Sequence, residues 1–95
     1  MSKSNKNYMD EMKNCIEAGR KLKLSKSARM LWQTLVHLNN ATYWSEWFYA
    51  STSLLEDYTA TGNKTLFSAR DELCRHGIIA YKSKSGMTTQ FKLLK

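Results

Sequence analysis

Apolar side chains recur at helical spacing near the start of the chain. The residues concerned are Tyr8, Met9, Met12, Cys15 and Ile16. Their spacing predicts one face of a short helix, and Gly19 followed by two basic residues is a natural end for it. Because the apolar stripe is narrow, this helix needs a docking surface, either on its own domain or on a second copy of the chain.

The strongest helical pattern follows Ser25, a candidate N-cap, and continues to Asn39. Its inward stripe consists of Ala28, Leu31, Trp32, Leu35 and Leu38. Residues 41–50 then hold five aromatic side chains, and the run 47–49 predicts a short strand or an extended arm over the core. Such a segment could also stack nucleic-acid bases, but a small domain needs its tryptophans inside, so we expect a core or interface role.

Two further helices are predicted on either side of Gly62. The first covers residues 54–60, and the second covers residues 63–76, with Asn63 helping to cap it. The inward stripe of the second helix consists of Leu66, Ala69 and Leu73. Gly77 supplies the left-handed position that ends this helix.

A β-hairpin is predicted at the C-terminus. Residues 78–81 form one strand, residues 88–94 form the returning strand, and the lysine-rich segment 82–86 is the turn. The order of elements therefore predicts a mainly α fold with a small β-sheet, namely a winged helix-turn-helix with an extra N-terminal helix. The expected organisation is a flexible N-terminus (1–7), an N-terminal helix with a basic linker (8–23) and the winged-helix domain (24–95).

Composition and charge narrow the function classes. The chain has 95 residues and a formal net charge of +7, which favours a polyanionic partner. The charge divides into +5 over residues 1–30, −3 over residues 31–60 and +5 over residues 61–95. The sequence holds no run of about 18 apolar residues and no apolar signal segment at its start. We therefore expect a cytoplasmic protein that does not enter a membrane.

Signatures of catalysis and metal binding are missing from the sequence. It contains no phosphate-binding loop, no dinucleotide fingerprint and no nucleophile elbow. Adjacent acids such as Asp71 and Glu72 are expected to be solvated charges on helices, and His37 has no partner at metal spacing. Cys15 and Cys74 lie too far apart for a redox or zinc motif. We therefore expect no enzyme activity, no metal and no cofactor.

The predicted helix 63–76 and the wing at about 82–87 indicate a DNA-binding surface. In a winged helix the second helix of the helix-turn-helix enters the major groove, and the wing lies along the backbone or a minor groove. The expected DNA contacts are Asn63, Lys64, Thr65, Ser68 and Arg75 on the helix and Lys82 and Lys84 on the wing. These side chains supply charges for phosphate and polar groups for base edges. The alternative is an ordinary solvated helix face.

Three neighbours on the same helix complicate this surface. Asp71 opposes phosphate, and Arg70 could point to the flank of the helix. Phe67 could contact a thymine methyl group, belong to a self-association surface or pack on the wing strands. The sequence leaves these alternatives open.

Residues 55–81 resemble the helix-turn-helix-to-wing pattern L-x-x-x-T-x-x-x-x-x-T-(L/V)-x-x-A-x-x-x-L-x-x-x-G-(L/I)-I. Its positions are filled by Leu55, Thr59, Thr65, Leu66, Ala69, Leu73, Gly77, Ile78 and Ile79. Ala60 departs from the pattern, since many members have glycine in the turn. Residues 24–51 resemble the opening of DnaD-like and phage replisome-organiser proteins, in which an L-S-x-x-A-x-x-L-(Y/W)-x-x-L-x-x-x-x-N helix precedes an aromatic strand.

This resemblance covers about residues 24–94. It implies the N-terminal winged-helix domain of a replication-initiation protein, in which such domains bind DNA or self-associate. It also implies double-stranded DNA and other replication proteins as partners. Family members are usually longer, so we expect either one domain of a replisome organiser or a small phage protein. Winged-helix transcription regulators of the GntR and MarR kinds share the 55–81 pattern, and a small regulator is therefore the alternative.

Self-association is a second function class that the sequence supports. A protomer this small and this aromatic could complete its core by forming a homodimer. The residues expected at such an interface are Tyr8, Met12, Ile16, Trp44 and Trp47. Dimerisation and DNA binding are compatible, because a two-fold dimer presents paired recognition helices to a palindromic or repeated site.

Overall fold

The computed structural model describes residues 7–83 and 86–94. In that part of the chain four helices account for most residues, and three short strands form one antiparallel sheet. The helices are α1 (Tyr8–Lys21), α2 (Lys26–Ala41), α3 (Thr52–Thr59) and α4 (Asn63–Arg75). The strands are β1 (Phe48–Tyr49), β2 (Ile79–Lys82) and β3 (Gln90–Leu93). The predicted class, mainly α with a small β-sheet, is confirmed.

Helix α1 begins immediately after Asn7, which the sequence places in the flexible N-terminus. The side-chain oxygen of Asn7 accepts hydrogen bonds from the backbone N–H groups of Met9 at 2.9 Å and Asp10 at 3.3 Å. This is the geometry of an N-cap, so residue 7 belongs to the folded part of the chain. Residues 1–6 lie outside the described residues.

Helix α1 continues through Gly19 and does not end there, contrary to the prediction. Gly19 is buried, and a Cβ atom added to it would lie 3.3 Å from Cγ of Arg29 in α2. The glycine therefore allows the two helices to approach closely. The helix ends at Lys21. Two residues later, Lys23 takes the left-handed conformation (φ 55°), and the N–H of Leu24 donates to the Gly19 carbonyl at 3.1 Å.

Helix α2 is the centre of the molecule, because the other three helices and β3 all pack on it. Ser25 is its N-cap, as predicted, and the Ser25 hydroxyl accepts a hydrogen bond from the N–H of Ala28 at 3.1 Å. Leu31 and Leu35 are fully buried between these neighbours. The aromatic segment that follows contributes Phe48 to the same core.

A turn of three residues joins α3 to α4. Ser51 caps α3, and Ala60 leaves it in the left-handed conformation with φ 55°. Gly62 is the N-cap of α4, and Asn63 is the first helical residue. The prediction that Asn63 caps this helix is therefore wrong. Gly77 ends α4 in the left-handed conformation with φ 68°, which confirms its predicted role.

The three strands are ordered β1-β3-β2, and both pairs are antiparallel. Phe91 in β3 lies opposite Phe48 in β1 and Tyr81 in β2, with ring centroids 6.4 Å and 6.2 Å apart. Phe48 and Phe91 are buried, which identifies this side of the sheet as the one that faces the helices. The strands are displaced from the predicted ranges by one or two residues at their ends, and residues 84 and 85 of the predicted turn lie outside the described residues.

Candidate nucleic-acid interface

One side of α4 is exposed along the whole helix, while the leucine side is buried. The exposed side chains include all the helix residues predicted to contact DNA, namely Asn63, Lys64, Thr65, Ser68 and Arg75. Lys64, Ser68 and Arg75 share one stripe, because residues four and seven positions apart return to the same side of a helix. Arg75 lies about 16 Å from Lys64 along the axis, at 1.5 Å of rise per residue.

The N-terminal turn of α4 has no side-chain cap. Gly62 occupies the N-cap position, and no side chain of the described residues accepts a hydrogen bond from the first backbone N–H groups. Unpaired N–H groups and the positive end of the helix dipole favour an anion at this point. Asn63 and Lys64 are exposed directly beside them.

A shallow groove runs between this face of α4 and the first turn of α2. Its walls carry four hydroxyl groups, one ammonium group and one carboxylate. The lining residues are Ser25, Ser27, Lys64, Thr65, Ser68, Ala69 and Glu72. Hydroxyl and ammonium donors of this kind contact the phosphates and sugars of nucleic acids.

Glu72 lines the groove and also ties α4 to α2. Its carboxylate accepts hydrogen bonds from the backbone N–H of Ser25 at 2.8 Å and from the Ser25 hydroxyl at 2.7 Å. These two bonds lower the pKa of Glu72 below its usual value, because both favour the ionised form. The interpretation of Glu72 as a merely solvated charge is therefore wrong.

The same contact completes the cap of α2. In a capping box, a glutamate at the third helical position accepts a hydrogen bond from the backbone N–H of the N-cap residue. That position of α2 is Ala28, and Glu72 supplies the carboxylate from another helix instead. The sequence signal for this contact is an N-cap serine with no acid three residues later. That signal indicates that the backbone N–H of Ser25 needs an acceptor from elsewhere, but it does not indicate which acid supplies it.

Lys82, one of the two wing residues predicted to contact DNA, does not line this groove. Lys82 is exposed at the end of β2, and its Nζ atom lies 4.1 Å from the centre of the Trp47 ring. Lys84 lies outside the described residues. The structure thus brings Lys64, Thr65 and Ser68 together and leaves Arg75 and Lys82 at separate places.

Phe67 and Arg70 form a stack between α4 and the sheet. The guanidinium carbon of Arg70 lies 4.0 Å from the centre of the Tyr81 ring and 4.6 Å from the centre of the Phe67 ring. A planar guanidinium between two rings combines stacking with cation–π attraction. Of the three alternatives for Phe67, the structure shows packing toward the wing strands, with Arg70 as the intermediary.

The residues predicted to mediate self-association are used largely within the protomer. Tyr8 and Met12 are half-buried against the core, and Trp44 is 9 % exposed. Trp47 is half-buried beneath Lys82, whereas Ile16 is 42 % exposed. The narrow helix α1 therefore docks on its own domain, and a homodimer stays a prediction.

The thiols and acids of the described residues show no arrangement for metal chemistry. In the part of the chain that the structure describes, no three His, Cys, Asp or Glu side chains converge as metal ligands. Burial raises the pKa of the Cys15 thiol to about 12, and burial also raises the pKa of Cys74.

Within the described residues, no helix is both long and apolar enough to cross a bilayer.

Comparison with known proteins adds no relative to these observations. The chain matches no protein-family model, no curated protein and no solved structure.

Proposed function

We propose that this chain is a winged-helix domain that binds double-stranded DNA, with α4 as the recognition helix and the β2–β3 hairpin as the wing. The order α2, β1, α3, α4, β2, β3 supports this proposal, because a winged helix has the same succession of helices, strand and hairpin. The turn of three residues between α3 and α4 has the length usual for a helix-turn-helix.

The observation that carries the proposal is the open N-terminal turn of α4 beside Lys64 and the hydroxyl-lined groove. A recognition helix contacts base edges with its N-terminal residues, and here Asn63 and Ser68 are exposed at that end. Lys64 and the uncapped N–H groups are suited to phosphate. Glu72 and Asp71 limit the favourable region to the first two turns of the helix, since a carboxylate repels phosphate.

The biological role is proposed from the resemblance of residues 24–94 to DnaD-like and replisome-organiser proteins. On that basis the domain serves replication initiation, with other replication proteins as further partners. Duplex binding by α4 is common to this role and to a small transcription regulator, so the DNA-binding proposal does not depend on the choice between them.

The direct test is the affinity for duplex DNA as a function of salt, measured by fluorescence anisotropy. We expect log K to fall linearly with log salt concentration, by about 0.9 for each phosphate that the protein neutralises. Lys64→Ala removes one such contact, so the salt slope should become shallower by about 0.9 and the affinity should fall.

Lys13→Ala is the matched control, because Lys13 is also exposed but lies on α1. It removes the same charge and should leave the slope nearly unchanged. If the two substitutions have equal effects, the binding depends on net charge alone and not on the position of Lys64. If no duplex binding is measured at about 50 mM salt, the proposal is refuted.

A further inference from the structure

A second surface lies on the side of the sheet that faces away from the helices. Successive residues of a strand point to opposite faces, so Tyr49, Gln90 and Lys82 lie opposite to the buried Phe48 and Phe91. These three residues form one row across the sheet, since Tyr49 pairs with Gln90 and Gln90 pairs with Lys82.

Two lysines converge on an aromatic ring at the same surface. The Nζ atoms of Lys82 and Lys92 lie 4.1 Å and 5.7 Å from the centre of the Trp47 ring. We call the surface formed by Trp47, Tyr49, Lys82, Gln90 and Lys92 the outer sheet face.

The charges of the outer sheet face favour an anionic ligand at Lys82. Lys92 donates to Oε2 of Glu46 at 2.8 Å, so its charge is partly compensated. Lys82 contacts the face of Trp47, and no carboxylate among the described residues lies within ion-pair distance of it. A ring attracts an ammonium group but does not neutralise it, so Lys82 stays available to a phosphate.

The aromatic part of the outer sheet face is available for stacking. Tyr49 is 59 % exposed, and it lies at the opposite end of the row from Lys82. The row therefore presents a ring, an amide and an ammonium group on strands spaced by about 4.8 Å. Beside it, Lys82, Met87, Thr88 and Gln90 line a hollow of about 170 Å³ at the hairpin end of the sheet.

We propose that the outer sheet face binds single-stranded nucleic acid. One base stacks on Tyr49, the amide of Gln90 hydrogen-bonds to a base edge, and Lys82 contacts a backbone phosphate. A duplex does not satisfy this surface, because its bases are already stacked on one another. An acidic peptide would satisfy Lys82 but offers no flat partner for Tyr49, so the ring and the amide favour nucleic acid.

This site uses no residue of α4, but it shares Lys82 with the proposed wing. Tyr49 is therefore the residue that separates binding of a single strand from duplex binding by α4. The test compares an oligothymidylate of about 16 nucleotides with a duplex of the same length, each followed by fluorescence anisotropy at low salt. We expect Tyr49→Ala to weaken binding of the single strand by about tenfold, since it removes the ring on which one base stacks.

Tyr49→Phe should retain the affinity, because it keeps the ring. Tyr43→Ala is the matched control, since Tyr43 is 84 % exposed but precedes the sheet in the chain. Lys82→Ala should lower the salt slope for the single strand by about 0.7. Far-UV circular dichroism would verify that each variant is folded.

Three outcomes would overturn the proposal. The first is an oligothymidylate affinity that Tyr49→Ala leaves unchanged. The second is a loss of duplex binding by the same factor, which would make Tyr49 part of a duplex site. The third is binding of a polyglutamate peptide with equal affinity and equal sensitivity to Tyr49→Ala, which would indicate an acidic protein partner. Failure of duplex binding alone, with Tyr49-dependent binding of the single strand intact, would refute only the role of α4.

Discussion

Ala60 holds a backbone conformation that suits glycine better than alanine. Its φ of 55° lies in the left-handed region, where a Cβ atom costs roughly 1–2 kcal/mol. The conformation is required because α3 must end and the chain must turn within three residues before α4 begins. At the equivalent end of α4, Gly77 has nearly the same φ of 68° without that cost.

We therefore predict that Ala60→Gly stabilises the protein by about 0.5–1 kcal/mol, after the greater flexibility of glycine in the unfolded chain offsets part of the relief. Ala60 is exposed, so the loss of its methyl group removes little packing. Urea-induced unfolding followed by circular dichroism measures the change.

The reciprocal control is Gly77→Ala, which should destabilise by about 1 kcal/mol through the same backbone effect. A Cβ at residue 77 would meet no atom within 4 Å, so steric clash does not contribute. If Ala60→Gly lowers the midpoint of unfolding, the left-handed conformation of residue 60 is contradicted.

One carboxylate ties the N-terminus of α2 to α4, in addition to the apolar packing between the two helices. Glu72 accepts two hydrogen bonds from Ser25, the N-cap of α2, and thereby links elements that are far apart in the chain. Because the contact also borders the groove beside Lys64, it positions the N-terminus of α2 against the exposed face of α4. A substitution of Glu72 should therefore lower the stability of the protein directly and change its DNA affinity only indirectly, through the position of α2.

We predict that Glu72→Gln destabilises the protein by about 1 kcal/mol near neutral pH, a low value for hydrogen bonds to a charged group because Glu72 is only partly buried. The folded state lowers the pKa of Glu72. Its contribution is therefore complete above the unfolded pKa of about 4.3 and is lost as the pH falls through the lower folded value.

Urea unfolding of the wild type and of Glu72→Gln at about pH 7 and about pH 3 would show this, with the difference between them shrinking at the acidic pH. Asp71→Asn is the control, since it removes the same charge from an exposed neighbour. A similar loss in both variants would mean that general electrostatics, rather than the bonds to Ser25, stabilise the junction.

Helix α1 is part of the core of the same molecule. Cys15 and Gly19 are buried where α1 meets α2, and Tyr8 and Met12 pack at the margin of the core. The hydroxyl of Tyr8 also lies 3.4 Å from Nδ1 of His37 on α2. The contacts of α1 are therefore those of a structural helix, although one exposed edge at Ile16 stays available to a partner.

We predict that deletion of residues 1–21 lowers the stability by roughly 2–4 kcal/mol, since it exposes apolar surface of α2 that α1 covers. Thermal unfolding would measure the loss, and light scattering would measure the mass before and after deletion. A shortened chain that keeps its melting temperature while its mass falls from dimer to monomer would show that α1 acts between chains.

Much of the fold was predictable because its signals are local. The cap at Ser25, the leucine stripe of α4 and the left-handed Gly77 each depend on residues within one or two helical turns. The exposed side of α4 followed from the same periodicity. Local patterns of this kind are sufficient to define the elements and the face that each one buries.

The tertiary structure decided what distant residues do to one another. Gly19 has the sequence context of a helix end, yet it lies within α1, at a point where Arg29 of α2 approaches closely. In the sequence Glu72 has the pattern of a solvated acid, and only the packing of α2 on α4 places Ser25 within hydrogen-bond distance of it. Lys82 lies over Trp47 only because β1 and β2 flank β3 in one sheet. The chain pattern specifies which residues are charged, apolar or left-handed, whereas contacts across tens of residues depend on how the elements pack.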